Sequence, residues 1–389
     1  MAGLDDICRR RLLELEAQGL LRRPVTVDAR EGATLTIDDT PLVSFASNDY
    51  LGLSTDPRLA QAAAEATARW GSGAGASRLV CGNLGAHVEL ERAIADFEGR
   101  EDAVLFPSGY AANVGAIPAL VGRGDAVVID RLCHASIVDG CRLSGARLLV
   151  YKHCDPASLT NVLTRADSYR HVLVVTDTVF SMDGDLAPLP KLAAVCAEHN
   201  AVLMADEAHA TGVFGATGRG VAEAQGACEG VDVLMGTLSK ALGSQGGFVA
   251  GPRSLCDLLR NVARSFVYTT APAPGAVGAA AEALRIVRTT PSAGEAVLAA
   301  AAQLRRRLSA LGFDTLSSAS QIIPIAVGEP GDALALSAHL RSHGLFVPAI
   351  RPPTVPSGTS RLRVSVTAAH TPEQLDKLAS ALEEWRRTT

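Results

Sequence analysis

Between residues 103 and 250, seven short apolar runs alternate with segments of helical period, and no other sequence feature restricts the fold as strongly. The runs lie at 103–106, 126–129, 147–150, 172–176, 201–205, 231–235 and 247–250. Helical segments lie between most of them, at 110–121, 135–144, 156–165 and 189–199. Nearly continuous apolar, β-branched strands are typical of a sheet that is covered on both faces. The sequence therefore predicts an α/β fold with a mostly parallel sheet between layers of helices.

The regions on either side of this alternation have other patterns. Residues 4–20 have an amphipathic helical period, and 25–45 resemble short strands joined by turns. After the last run, the predicted elements are helices over about 274–311, a strand at 322–327, a helix at 332–343, a strand at 361–366 and a helix at 372–386. We therefore expect three parts, namely an N-terminal helix with short strands (1–45), a large domain (46–265) and a smaller α+β C-terminal domain (266–389).

The composition argues against several classes of protein. Hydrophobic residues make up 48% of the chain and charged residues 20%, so the chain can bury a large core. A net charge of −5 and an aromatic content of 4% argue against a nucleic-acid-binding surface. No run of about 18 apolar residues occurs, so no membrane-spanning helix is predicted. We expect a cytoplasmic protein.

The cysteines and histidines form no metal-binding motif. The eight cysteines are scattered without a C-x-x-C pair, and the nine histidines form no H-E-x-x-H pattern. No metal site is therefore predicted. The first residues have a helical pattern rather than that of a signal peptide, so reduced thiols are expected.

Lysine is scarce, and one of the four lysines has unusual neighbours. Lys240 follows an apolar run within GTLSKALGSQGG at 236–247, among glycines and hydroxyl side chains. A lysine enclosed by small residues loses its water, so its ammonium pKa falls and the neutral amine can attack a carbonyl carbon. Most lysines are solvated surface charges, and Lys152, Lys191 and Lys377 fit that description. Lys240 is therefore the predicted site of lysine chemistry.

Asp206 ends another apolar run, in the segment AVLMADEAH at 201–209. Ligands of parallel sheets bind at the carboxyl ends of the strands. A carboxylate at this position can pair with the protonated ring nitrogen of pyridoxal phosphate, and His209 can reach the ring oxygen. Taken alone, the pattern fits equally well a helix-capping aspartate followed by a surface histidine.

Three further runs are followed by polar residues of the same kind. Ser108 and Gly109 open a predicted helix, whose first backbone N–H groups can bind a phosphate. His134 follows the run that ends at 129 and can stack on a flat ring, and Ser181 can donate a hydrogen bond to a ring oxygen. Each signal alone is compatible with an ordinary turn or a capping residue. Together they place five polar sites at the ends of strands in one sheet.

These segments carry a resemblance to a known family. The chain resembles the α-oxoamine synthases, pyridoxal-phosphate (PLP) enzymes of the aspartate-aminotransferase fold, over almost its whole length. The similar motifs are SNDYLGL at 47–53, GASRLVCG at 75–82, HVELE at 87–91, VFSMDGD at 179–185, DEAH at 206–209 and TLSK at 237–240. The resemblance implies PLP-dependent transferase fold type I, with PLP bound by the large domain.

The resemblance also implies a role for each cofactor-binding residue. Lys240 would hold PLP covalently, Asp206 would pair with the ring nitrogen and His134 would stack on the ring. These three would be the catalytic residues. Ser181 and His209 would contact the ring oxygen. The remaining residues implied around the cofactor and its phosphate are Ser108, Gly109, Tyr110 and Thr237, with Thr270 (or Thr269) of a neighbouring subunit in a homodimer.

For the substrates, Arg363 would bind the amino-acid carboxylate, and Asn48 and His134 would lie near the reacting carbon. Arg22 (or Arg23), Arg351 and Thr354 would also face the substrate. Within the family, AIRPPTVP at 349–356 and GTSRLR at 358–363 are most similar to the acyltransferases of biotin biosynthesis. Such enzymes condense L-alanine with pimeloyl-CoA or pimeloyl-carrier protein and release CO2. The alternatives are a relative that uses glycine with a short acyl-CoA and, more distantly, a non-catalytic subunit of the same fold.

Overall fold

The computed structural model describes residues 3–18 and 20–388, and alternating strands and helices fill most of this length. The strands are β1 Ala29–Glu31, β2 Thr34–Ile37, β3 Thr40–Ser44, β4 Asp102–Phe106, β5 Ala126–Asp130, β6 Arg147–Tyr151, β7 Val172–Asp177, β8 Val202–Asp206, β9 Val233–Thr237, β10 Gly247–Gly251, β11 Ile322–Gly328, β12 Leu345–Phe346, β13 Ala349–Ile350 and β14 Ser360–Ser365. All seven apolar runs of the sequence are strands, with ends that differ from prediction by one or two residues.

Helices connect most of these strands. They are α1 Leu4–Ala17, α2 Pro57–Trp70, α3 Gly85–Glu98, α4 Gly109–Leu120, α5 Ala135–Ser144, α6 Pro156–Thr164, α7 Leu189–Glu198, α8 Val221–Ala224, α9 Arg253–Val262, α10 Arg264–Val267, α11 Pro274–Thr289, α12 Ser292–Ala310, α13 Pro330–Ser342 and α14 Pro372–Thr388. Helices α8, α9 and α10 were not predicted from the sequence. None of the helices in the described parts of the chain combines the length and apolar character needed to cross a membrane.

The central sheet has seven strands in the order β4-β10-β9-β8-β7-β5-β6. Only β10 runs antiparallel to its two neighbours, so six strands share one direction, and the prediction of a mostly parallel sheet is confirmed. Val128 packs into one apolar cluster, whereas Val127 and Ile129 pack into another on the opposite face. Because successive side chains of a strand point to opposite faces, this alternation covers both sides of the sheet. The carboxyl ends of β4, β5, β7, β8 and β9 therefore meet at one edge.

The C-terminal unit has a separate core around the three-stranded sheet β11-β14-β13. The N-terminal strands join this unit rather than forming a part of their own. Strand β3 pairs in parallel with β12, and Phe45 lies within the same apolar cluster as Leu345 and Leu362. The expected separation of residues 1–45 from the C-terminal unit is therefore wrong. Backbone hydrogen bonds between the β3 and β12 segments join the N-terminal strands to that unit.

The expected boundary at residue 266 is also too early, because α11 belongs to the large domain. Its residues Val277, Ala280 and Ala283 are buried in the core that covers one face of the central sheet. Helix α11 lies so close to α2 that a Cβ atom on Gly278 would come within 2.6 Å of the Ala62 carbonyl oxygen. The alanine-rich sequence that suggested a new domain instead permits this close helix–helix packing. The separate C-terminal core begins with α12.

Candidate active site

A cavity of about 220 Å³ opens at the carboxyl edge of the central sheet. Its lining comes from the segments that follow β4, β5, β7, β8 and β9. The lining residues are Ser108, Gly109, Tyr110, Asn113, His134, Ser136, Asp177, Asp206, Ala208, His209, Met235, Thr237, Ser239 and Lys240. Eight residues predicted to bind the cofactor are thus brought together in one chain, whereas Ser181 and Thr270 do not line the cavity.

The amine of Lys240 is enclosed at this cavity. Burial lowers the pKa of Lys240 to about 8, although the charges of Asp206 and Asp177 oppose the shift. A short loop between β9 and β10 holds the residue in place. The hydroxyls of Thr237 and Ser239 both donate to the Gly246 carbonyl oxygen, at 2.8 and 3.0 Å. An amine with this pKa is partly neutral near physiological pH and can act as a nucleophile or a base.

Two carboxyl groups at adjacent strand ends lie near this amine. Asp206 accepts hydrogen bonds from the Asn113 amide at 2.8 Å and from the Ala208 backbone N–H at 2.9 Å. Burial, together with the negative charge of Asp206, raises the pKa of Asp177 to about 8. Burial beside Asp206 therefore favours the protonated form of Asp177. The Asp206 side chain lines the cavity, where it could pair with a cationic ring nitrogen.

Both imidazoles of the site are neutral at pH 7. His134 caps the N-terminus of α5, where its Nδ1 accepts from the Ser136 backbone N–H at 3.2 Å. Burial lowers the pKa of His134, and it lowers the pKa of His209 further with help from the charge of Lys240. His209 Nδ1 lies 2.7 Å from the hydroxyl oxygen of Tyr50. Neutral rings can pack against an aromatic cofactor or exchange hydrogen bonds with it.

The N-terminus of α4 faces the same cavity. Ser108 caps the helix, and its hydroxyl oxygen accepts from the Ala111 backbone N–H at 3.1 Å. The helix begins so close to β9 that a Cβ on Gly109 would lie 3.0 Å from Met235 Cε. The first N–H groups of a helix favour an anion such as a phosphate. Tyr110 is 51% exposed, and its hydroxyl donates to Asp139.

Arg363 on β14 reaches from the C-terminal unit toward the segment after β7. Its Nε donates to the Ser181 carbonyl oxygen at 2.6 Å, and its Nη2 donates to Asn48 Oδ1 at 3.1 Å and to the Tyr50 hydroxyl at 3.4 Å. Among the described residues, no carboxylate lies within ion-pair distance of this buried guanidinium. The backbone carbonyl of Ser181 thus contacts Arg363, and the predicted contact of its side chain with a ring oxygen stays a prediction.

The remaining predicted substrate residues form a second cavity of about 400 Å³. The Arg22 guanidinium donates to the Thr354 hydroxyl at 3.0 Å, which joins the chain just after α1 to the Pro-rich loop. Arg23 and Arg351 also line this cavity. Thr270 is exposed and pairs with Ser77 through a single β-bridge, apart from both cavities. The predicted contact of Thr270 with the phosphate in a neighbouring subunit stays a prediction.

Several residues of the site were given no role from the sequence, among them Tyr50, Asn113, Ser136 and Asp177. Tyr50 lies inside the motif SNDYLGL at 47–53, whereas the other three lie outside the motifs that carry the resemblance. Asn113 lies one helical turn beyond Gly109, so a 3.6-residue period from the strand end places it on the same face. Asp177 is the last residue of its strand, in the same register as Asp206. Tyr50 lies two residues after Asn48 in the motif at 47–53, so the predicted substrate residue was the local signal that could have identified it.

These residues fit pyridoxal phosphate. An amine with a lowered pKa, a carboxyl group and a helix N-terminus line one cavity and match its aldehyde, ring nitrogen and phosphate. Asn113 Oδ1 is buried without a hydrogen-bond partner among the described residues, so the cavity still offers an acceptor. The chemistry of the side chains therefore matches the group that the resemblance implies.

Comparison with known proteins agrees with this geometry. The family model for class I and II aminotransferases matches residues 40–382, and the chain belongs to this family. A protein of Anaeromyxobacter sp. (strain Fw109-5), named 8-amino-7-oxononanoate synthase, is 55% identical over 383 residues, which is 98% of this chain and 96% of that protein. A relative of the same name from Geobacter metallireducens is 47% identical and covers 95% of both chains. The predicted family and its PLP-dependent fold are confirmed.

Solved structures show the same fold. Serine palmitoyltransferase of Sphingomonas wittichii superposes with a TM-score of 0.92 at 33% identity and covers 100% of this chain and 99% of its own. The 8-amino-7-oxononanoate synthase of Francisella tularensis gives a TM-score of 0.77 at 26% identity and covers 89% of this chain and 98% of its own. The central sheet and the smaller C-terminal unit are therefore shared with known members of the family.

Proposed function

We propose that this protein is an acyltransferase that condenses L-alanine with pimeloyl-CoA or pimeloyl-carrier protein. The products are 8-amino-7-oxononanoate, CO2 and the free thiol carrier, in the pathway to biotin. The observation that carries this proposal is the enclosed Lys240 amine opposite the Asp206 carboxylate in one cavity. The relatives named above support the choice of substrates.

PLP, when bound, supplies a conjugated ring that accepts the electron pair left by the departing Cα proton. Within this scheme the neutral amine of Lys240 removes that proton, because its pKa of about 8 suits proton transfer near pH 7. The carboxylate of Asp206 would pair with the ring nitrogen and favour its protonated form. Asn113 and the Ala208 N–H hold that carboxylate in one orientation.

The guanidinium of Arg363 is proposed to bind the alanine carboxylate. It is buried, its charge has no carboxylate partner within ion-pair distance among the described residues, and three neighbours already fix its plane. A fixed planar fork matches a carboxylate in one orientation and presents the substrate Cα to Lys240 in one way. Neutral His134 and His209 line the same cavity and avoid a second cation beside the amine.

The acyl donor is proposed to use the cavity between Arg22 and Thr354. This space is lined by Arg22 and Arg23 and by the Pro-rich loop, which contributes Arg351, Pro352 and Thr354. Each proline fixes its own φ, so the loop is stiff and can shape a pocket for one chain length. Cationic walls suit the distal carboxylate of a pimeloyl group, whereas a short acetyl group has no such carboxylate.

The substrate pair is the decisive test of this proposal. We expect kcat/KM for L-alanine with pimeloyl-CoA to exceed that for glycine with acetyl-CoA by at least about 100-fold, which corresponds to about 2.7 kcal/mol. The measurement is a side-by-side assay of thiol release, with the product mass determined for each pair. Equal efficiency, or a preference for glycine with acetyl-CoA, would reject these substrates and leave the family membership standing.

The proposed assembly is a homodimer. Around the Ser77–Thr270 bridge, three large apolar side chains are strongly exposed, namely Leu79 at 57%, Val80 at 78% and Tyr268 at 72%. An exposed apolar cluster of this kind is typical of a subunit contact. It would bring Thr270 to a neighbouring subunit, as the resemblance implies. Light scattering is expected to give twice the 40.3 kDa of one chain, and a monomeric mass would contradict the assembly.

The proposed compartment is the cytoplasm. All eight cysteines are free thiols in the structure, which suits a reducing environment. Alkylation of the native-source protein under denaturing conditions should modify all eight, and a disulfide would argue against this compartment.

A further inference from the structure

The side chain of His153 lies between two carboxylates, just after β6. Its Nδ1 is 2.9 Å from Asp130 Oδ1, and its Nε2 is 2.6 Å from Asp185 Oδ2. Both oxygens are acceptors, so both ring nitrogens carry protons and the ring is an imidazolium. Burial disfavours this charge, but the hydrogen bonds to Asp130 and Asp185 outweigh it and raise the pKa of His153 to about 12.

Each carboxylate also holds the backbone of a segment that leads to the active site. Asp130 is the last residue of β5, and its Oδ1 accepts from the Leu132 backbone N–H at 2.8 Å. The chain then enters α5 through His134, which lines the cofactor cavity. Asp130 Oδ2 accepts from the Cys154 backbone N–H at 2.8 Å, so His153 and its own turn are held to the end of β5.

Asp185 belongs to the loop 178–186, which follows β7. The backbone of this loop is closed on itself, since the Phe180 N–H donates to the Asp185 carbonyl oxygen at 3.1 Å. The Phe180 ring meets the His153 ring edge-on, with centroids 4.4 Å apart. One residue beyond Phe180, the Ser181 carbonyl oxygen accepts from Arg363. The position of this loop therefore determines where the guanidinium of Arg363 is held.

Asp130, His153 and Cys154 lie close enough together to suggest a metal site. The contacts instead describe a clamp, in which the protonated His153 ring donates one hydrogen bond to Asp130 and one to Asp185. Both ring nitrogens already donate to carboxylates, so neither offers a lone pair. Burial raises the pKa of the Cys154 thiol, and its Sγ lies 3.6 Å from the Leu186 carbonyl oxygen as a donor. A thiolate and a free imidazole nitrogen, which a metal ion would need, are both missing from this arrangement.

We propose that His153 is a positioning residue whose cation ties the end of β5 to the loop 178–186. Through these two segments it holds His134 against the cofactor cavity and holds Arg363 through the Ser181 carbonyl. The expected effect on the KM for L-alanine rests on the proposed function, whereas the expected effect on cofactor binding does not. Small displacements of positioned groups have large effects on binding and rate. Loss of the His153 contacts should therefore change cofactor binding, although His153 does not line the cofactor cavity.

The test compares His153→Asn with the matched control His171→Asn, an exposed histidine just before β7, at the opposite end of the strand. Apo-protein is titrated with PLP, and the unfolding midpoint of each apo-variant is recorded separately. We expect His153→Asn to raise the cofactor Kd and the KM for L-alanine by about 10-fold each, with the control within about twofold of wild type. His153→Lys keeps a cation between the carboxylates and should recover most of the lost cofactor affinity.

A His153→Asn protein with a lowered unfolding midpoint but an unchanged cofactor Kd would overturn the proposal, because a purely structural role predicts that result. If His153→Asn does not fold, Asp185→Asn becomes the test variant. It removes the carboxylate that accepts from His153 Nε2 and keeps the histidine. We expect its cofactor Kd to rise about fivefold, and an unchanged value would overturn the proposal. Failure of the proposed substrates in the wild type would leave these cofactor titrations intact, so the two failures are distinguishable.

Discussion

Lys240→Ala is expected to reduce the condensation rate by a factor of about 1,000 or more, because it removes both the covalent attachment point and the base. Treatment of the wild-type holoenzyme with borohydride should fix the cofactor to the peptide that contains Lys240. The matched control is Lys152→Ala, which removes an exposed lysine and should leave both the rate and the labelling unchanged. Recovery of the reduced adduct on Lys152, Lys191 or Lys377 would reject the assignment.

The pH dependence of cofactor capture is a second test of the role predicted for Lys240. Lysine attacks an aldehyde only as the neutral amine, and burial lowers the pKa of Lys240 to about 8. About a tenth of the amine is therefore neutral at pH 7 and about nine-tenths at pH 9. The rate of cofactor capture by the apo-protein should rise through this window and then level off. Free N-acetyl-lysine, whose pKa is about 10.4, should show a rate that is still rising at pH 9.

Asp206→Ala is expected to lower kcat/KM by about 100-fold, which corresponds to about 2.7 kcal/mol of lost charge stabilisation. The variant removes the Asp206 carboxyl group, which is proposed to pair with the ring nitrogen, so cofactor affinity should fall as well. Steady-state rates and cofactor titrations of folded protein are the measurements. Asp167→Ala, at an exposed position in the turn between α6 and β7, is the matched control. A near-normal rate for Asp206→Ala would show that this pairing is not used.

The carboxyl group of Asp177, next to Asp206, allows a second test of this pairing. Burial and then the charge of Asp206 raise the pKa of Asp177, so removing that charge should lower the pKa and favour ionisation of Asp177. Asp177 can then replace part of the lost charge. We therefore expect the double variant Asp177→Asn/Asp206→Ala to be slower than Asp206→Ala alone, and equal rates would contradict this compensation.

The strands of the large domain, and with them the candidate site, could be predicted from the sequence. An apolar run of β-branched residues has few alternatives to a buried strand, and the first polar residues after it must lie at the sheet edge. His134, Asp206 and Lys240 follow three such runs, and all three line the cavity. The local pattern was sufficient here because parallel strands bring their carboxyl ends together whatever their order in the sheet.

Contacts between distant parts of the chain could be decided only by the tertiary structure. Arg363 meets the Ser181 carbonyl across 182 residues of sequence, and no local period predicts that partner. The reversed direction of β10 and the packing of α11 against the large domain likewise depend on which surfaces remain to be covered. Local preference determines whether a segment is a strand or a helix. Burial of the remaining apolar surface and pairing of buried charges, as at His153, are satisfied only once the whole chain has folded.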